Sequence, residues 1–121
     1  PGQTAYGASK AAVKLFTEGL RSELLSTNVH VTIVFPGAIA TNISVNSGVV
    51  TAEQAKEQSK NAKFKTTSPR TAVEIVVAGM EKNKYRILVG SDAKMMDRLS
   101  RLMPEKAANI IYNQMKSLLG D

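Results

Sequence analysis

The chain has 121 residues, 43% of them hydrophobic, and a formal net charge of +6. That length suits one compact domain, that apolar fraction argues against a disordered chain, and no apolar run reaches the roughly 20 residues of a membrane span. Cysteine is absent and His30 is the one histidine, which excludes disulfides, thiolate chemistry and a histidine-rich metal centre and favours a cytoplasmic setting.

The 16 Lys and Arg are spread along the whole chain, beside only three Tyr and three Phe. A nucleic-acid face concentrates its charge next to stacking aromatics, so no nucleic-acid partner is expected. A positive field that attracts a phosphate-bearing small molecule fits better. The first residues also lack the basic and apolar stretches of a signal peptide. No metal and no membrane insertion are expected.

Residues 5–26 read as a helix, with Ala11, Ala12, Leu15, Phe16, Gly19, Leu20 and Leu24 at helical spacing and Thr4 as a cap. Gly19 weakens a helix by about 1 kcal/mol relative to Ala, which predicts a close packing contact there. Residues 29–35, VHVTIVF, form the best strand, and their near-continuous apolar character suits a parallel strand covered on both faces. Pro36 and Gly37 stop it. A loop follows, then a polar helix over 52–64 that carries Lys56, Lys60 and Lys63 on one solvated face. Ser68-Pro69 opens a strongly apolar helix over 69–82, expected to be well buried. Residues 85–90 form a second strand. Helices over 92–102 and 104–119 complete the chain, the last with Ala107, Ala108, Ile111, Met115 and Leu118 along one face for packing or for a partner.

Residues 29–90 thus make one βαβ unit, expected to be a right-handed crossover in a parallel sheet. Two strands are too few for such a sheet, since both would have open edges. The expected fold class is α/β, the C-terminal part of a doubly wound parallel-sheet (Rossmann-like) domain, incomplete in this chain.

Tyr6 and Lys10 stand four apart at the start of the first helix, which stacks them on one face, with Gly7, Ala8 and Ser9 leaving the surroundings uncrowded. A free tyrosine has a pKa near 10 and is a poor base at neutral pH. Lowering it by about three units takes roughly 4 kcal/mol in favour of the phenolate. An ammonium about 4 Å away supplies about that much at an effective dielectric of about 20. The spacing alone also fits an ordinary helical pair, just as Pro-Gly fits an ordinary strand stop and Thr41 a turn cap.

Context narrows this. The stretch AYGASKAAVKLFTEGLRSEL followed by VHVTIVFPGAIATNI resembles the C-terminal half of a short-chain dehydrogenase/reductase. Tyr6 and Lys10 match the family's Y-x-x-x-K, and Pro36, Gly37, Ile39 and Thr41 match its P-G-x-[IV]-x-T, at the family's usual separation. The likeness is distinct over residues 1–43 and weaker beyond.

The resemblance implies an oxidoreductase that interconverts carbonyl and alcohol by hydride transfer with NAD or NADP, acting on a small-molecule carbonyl or alcohol. Tyr6 would be the catalytic acid or base. Lys10 would lower its pKa and bind the nicotinamide ribose. Pro36, Gly37, Ile39 and Thr41 would hold the nicotinamide end and its carboxamide or phosphate, with Tyr6 and Lys10 completing the cofactor site. Residues 42–67 would be the substrate cover, with Ile43, Val45, Val49 and Val50 facing substrate or forming a local cluster. The first helix would serve a homo-oligomer interface. Residues 91–121 form a C-terminal helical extension with no role assigned by the resemblance.

The departures are definite. No G-x-x-x-G-x-G occurs, and the family's catalytic serine, about a dozen residues before the tyrosine, has no counterpart. Residues 1–121 are therefore expected to be a fragment of a dinucleotide-binding oxidoreductase domain, inactive without an N-terminal half. The rival expectation is a non-catalytic association module on the same scaffold.

Overall fold

The computed structural model describes residues 4–41 and 66–116. In chain order these form α1 (Thr4–Glu23), β1 (Ile33–Pro36), α2 (Pro69–Glu81), β2 (Arg86–Val89), α3 (Ser91–Leu102) and α4 (Pro104–Met115). The polar helix expected over 52–64 and the residues Ile43, Val45, Val49 and Val50 lie outside the described residues, as does Leu118.

β1 pairs with β2 in parallel, Ile33 opposite Arg86 and Pro36 opposite Val89. The α/β class and the parallel pairing agree with part of a doubly wound domain. Side chains alternate across a strand. Val34, Ile87 and Val89 accordingly meet Ala72, Ile75 and Val76 of α2, and Ile39 joins them. This is the core, and Val89 is its most completely buried member.

α2 starts as its sequence dictates. The Ser68 hydroxyl accepts a hydrogen bond from the Thr71 N–H at 3.1 Å, and Pro69 occupies the first turn, where its missing N–H costs nothing. The helix ends in a Schellman arrangement: Asn83, at φ 47°, donates its N–H to the Met80 carbonyl, and Lys84 donates to that of Gly79. The expected deep burial of α2 is corrected, since Val73 and Met80 are 60% and 57% exposed. Against a two-stranded sheet the helix buries one stripe, Ala72, Ile75, Val76 and Gly79, and the rest of its apolar surface faces outward.

Gly79, not Gly19, is the glycine of close approach. A Cβ at Gly79 would collide with the Ile87 side chain, whereas none of the described residues comes within 4 Å of a Cβ at Gly19.

Thr4 is itself helical rather than a cap, and α1 gives way to a turn after Glu23, short of the expected 26. Its apolar side chains stay largely uncovered: Leu15 and Phe16 are 65% and 70% exposed. Arg21 anchors its C-terminal end. The guanidinium donates to the Val31 carbonyl and to both the side chain and the carbonyl of Asn83, and lies 5.3 Å from the Tyr85 ring centroid. Asn83 also pairs with His30 at 3.0 Å, which gives the one histidine a structural partner.

β1 begins at Ile33 rather than 29. Pairing can start only where β2 is present, with the Ile33 N–H donating to the Tyr85 carbonyl at 3.1 Å. Upstream, side-chain bonds replace the ladder, as when the Thr32 hydroxyl donates to the Lys84 carbonyl.

Two outcomes follow from this packing. Gly79→Ala, normally favourable inside a helix, should destabilise the fold by about 1–3 kcal/mol in urea denaturation, and adding Ile87→Val should recover part of the loss. The Tyr85 phenol is held above its ordinary value by loss of solvation, then by the hydrogen bond and charge of Glu18, against the opposing Arg86 and Arg21. A raised folded value favours the neutral phenol. Its stabilisation is therefore present below the free-tyrosine value near 10 and is lost as pH rises through the folded value. Urea midpoints should fall in that alkaline window, and should fall less in Tyr85→Phe.

Candidate active site

Tyr6 and Lys10 occupy the first turns of α1. The spacing of four puts the ammonium over the ring, with the Lys10 Nζ 5.3 Å from the Tyr6 ring centroid, within the range of a cation–π contact. The Ser9 hydroxyl donates to the Tyr6 carbonyl at 2.7 Å, so it is engaged with its own helix. Tyr6 is 61% exposed, and around Gly7 no described residue comes within 4 Å of a Cβ position. The pair stands open.

Pro36, Gly37, Ile39 and Thr41 fall in one turn at the C-terminal end of β1. The Gly37 N–H donates to the Val89 carbonyl at 2.8 Å, extending the ladder past the strand. The Ala38 N–H donates to the Asp92 carboxylate at 2.6 Å. Thr67 donates to the Ala38 carbonyl and accepts from the Ala40 N–H, forming an isolated parallel bridge opposite Ile39. In that bridge the Ile39 N–H points away from Thr67 and is bonded to none of the described residues, while the Ile39 carbonyl accepts from Thr41 at 2.9 Å. The Ile39 side chain packs on the core, which leaves its N–H as the turn's outward donor.

Among the described residues no hydrogen bond or ion pair joins Tyr6 or Lys10 to this turn. Each motif is built locally, within its own helix or strand end.

A cleft of about 530 Å³ lies between α1, the outer face of the sheet and α3. It is lined by Lys14, Phe35, Arg86 and Asp97 among others, and not by Tyr6 or Lys10. Arg86 crosses from β2 to α3 through a 2.7 Å ion pair with Asp97, and its guanidinium lies 4.6 Å from the Phe35 ring centroid. Asp97 also accepts from Arg101 at 3.2 Å. This is a brace holding α3 on the sheet, separate from the tyrosine–lysine pair.

Sequence reasoning missed Asp92. The one available signal was an acidic residue in the first turn of a helix just after a strand, which suits the helix dipole; its partner Ala38 lies 54 residues away.

Residues 1–52 match the family described as short chain dehydrogenase. The oxidoreductase SadH of Mycobacterium tuberculosis is 39% identical over 107 residues, covering 85% of this chain and 39% of that protein. Dehydrogenase/reductase SDR family member 7B of Rattus norvegicus is 37% identical over 75 residues, covering 62% of this chain and 22% of that protein. The uncharacterized oxidoreductase YbbO of Escherichia coli is 29% identical over 115 residues, covering 92% and 42%. No solved structure gives a significant match. The chain belongs to the short-chain dehydrogenase/reductase family. It spans well under half the length of these relatives, from 22% to 42%. Among the described residues no helix is long and apolar enough to cross a membrane, and no cluster could hold a metal ion.

Proposed function

We propose that this chain supplies the acid–base half of an NAD- or NADP-dependent carbonyl reductase or alcohol dehydrogenase. The observation that carries the reading is the stacked Tyr6–Lys10 pair on a helix that leads into a strand ending in the Pro36–Thr41 turn. The turn's donor set suits a dinucleotide: the outward Ile39 N–H matches a carboxamide oxygen. Bound there, the nicotinamide would supply or accept the hydride.

In the reducing direction the Tyr6 hydroxyl would give its proton to the substrate's carbonyl oxygen, leaving a phenolate. Oxidation runs the reverse, with Tyr6 taking the alcohol proton. Lys10 would stabilise the phenolate that results and hold the ribose hydroxyls. Pro36, Gly37, Ile39 and Thr41 would seat the nicotinamide end, with Thr41 toward the carboxamide or a phosphate oxygen. The glycine-rich turn and the family's serine are not among these 121 residues, so turnover needs residues supplied from outside them. Residues 42–67 would cover a small-molecule substrate, in a cytoplasmic protein. The exposed Leu15 and Phe16 of α1 support self-association through that helix, and on the rival reading that association is the whole function.

In the full-length protein, Tyr6→Phe should lower the rate of hydride transfer by about 10²–10⁴-fold and leave dinucleotide affinity nearly unchanged. Lys10→Ala should lower both. Rates come from nicotinamide absorbance and affinity from fluorescence titration. Turnover retained by Tyr6→Phe would overturn the role given to Tyr6.

A further inference from the structure

Asp92 sits where three chain segments meet: the turn after β1, the end of β2 and the first turn of α3. An acidic residue in a first turn ordinarily turns back on its own helix, completing the exposed N–H groups there. Asp92 does not. The N-terminus of α3 has no side-chain cap, and the carboxylate instead accepts the Ala38 N–H at 2.6 Å. A charged acceptor at that distance makes one of the stronger backbone bonds available.

The seat for this carboxylate is built by two glycines. A Cβ on Gly37 or on Gly90 would collide with Asp92, and Gly90 also has φ 98°, a conformation side chains rarely adopt. The second carboxylate oxygen, Oδ1, is buried with no hydrogen-bond partner among the described residues. Burying an unpaired oxygen of this kind is unfavourable, so the remaining contacts hold Asp92 in place against that cost.

The bond fixes the peptide between Gly37 and Ala38. Gly37 is already tied to Val89 on one side, and the Ala38 carbonyl to Thr67 on the other. With these three restraints, the direction of the next N–H, that of Ile39, is set before any ligand arrives.

We propose that Asp92 is the positioning residue of the Pro36–Thr41 turn, holding the Ile39 N–H in the orientation the nicotinamide end of the cofactor needs. The cofactor half of this statement rests on the proposed function; the clamp itself rests on the geometry of Asp92, Gly37 and Gly90.

The test uses the full-length protein and reads two quantities. Amide hydrogen exchange reports the clamp directly: Asp92→Ala should speed exchange at Ala38, whose N–H it holds, by at least about tenfold, with Ile87 and Val89 unchanged. Dinucleotide affinity, titrated with NADH and NADPH, should weaken about tenfold or more in Asp92→Ala. It should recover to within about threefold of the original in Asp92→Asn, which keeps an acceptor for Ala38. Gly37→Ala should weaken binding strongly by itself yet add little on top of Asp92→Ala, because the collision needs both groups. Unchanged exchange in Asp92→Ala, or full additivity of the two substitutions, overturns the clamp. Faster exchange with unaltered affinity overturns its role toward the cofactor. If the unaltered protein binds neither dinucleotide, the proposed function falls, and the exchange result still decides the clamp.

Discussion

The structure depends on one row of parallel backbone pairing, Ile33–Pro36 against Arg86–Val89, that does not stop where the strand stops. Pro36 has no N–H, but its nitrogen faces away from β2, toward which Ile33 and Gly37 donate, so the ladder runs past it to Val89, and the Ile39–Thr67 bridge carries the chain one step further. Because the ladder runs on, the turn after β1 is not a free loop. Its backbone is as determined as the sheet from which it grows. Strand ends in open α/β sheets are where ligands bind, and here that end is made rigid by the pairing that forms the core.

The two faces of the sheet are held by different physics. On one, Ala72, Ile87 and Val89 exclude water and the close approach at Gly79 sets how near α2 can come. On the other, Arg86, Asp97 and Arg101 brace α3 by charge over the Phe35 ring. A partly buried ion pair adds little net stability, but removing one partner strands the other. Its value here lies in register. It fixes which turn of α3 lies on β2, and hence where the helix's first turn delivers Asp92. The apolar face sets that the sheet forms, and the charged face sets where the next helix begins relative to the turn after β1.

Much of this was legible in the sequence, for local reasons. The order of elements, the parallel pairing and the α2 start at Ser68-Pro69 follow from apolar period, β-branched runs and turn chemistry, each encoded within a few residues. The Tyr6–Lys10 stacking follows from helical spacing alone. What was not legible involves partners far apart in the chain. Strand length depends on how much of β2 is available, so β1 starts at Ile33 and not at 29. Gly19 and Gly79 look alike in sequence, and only packing separates the one with open space beside it from the one pressed on Ile87. The apolar character of α2 and α1 is no guide to burial when the opposing surface is two strands wide. Asp92 reads as a helix-start residue until Ala38, from the other end of the βαβ unit, is brought beside it.

The openness of Tyr6 bears on what the pair can do. A charge about 4 Å from another is worth about 1 kcal/mol in bulk water and about 4 kcal/mol at an effective dielectric of about 20. A tyrosine 61% exposed stands near the watery end of that range. Lys10 is placed to act on Tyr6, but placement alone does not make the interaction strong; the surroundings must also exclude solvent. On the proposed function, whatever covers the first turns of α1 would therefore do more than bring further groups into reach. By displacing water it would raise the strength of a contact this chain already contains. On the proposed function the reactivity of the tyrosine would be a property of the assembled site, even though both residues of the pair are specified by a stretch only six residues long, AYGASK.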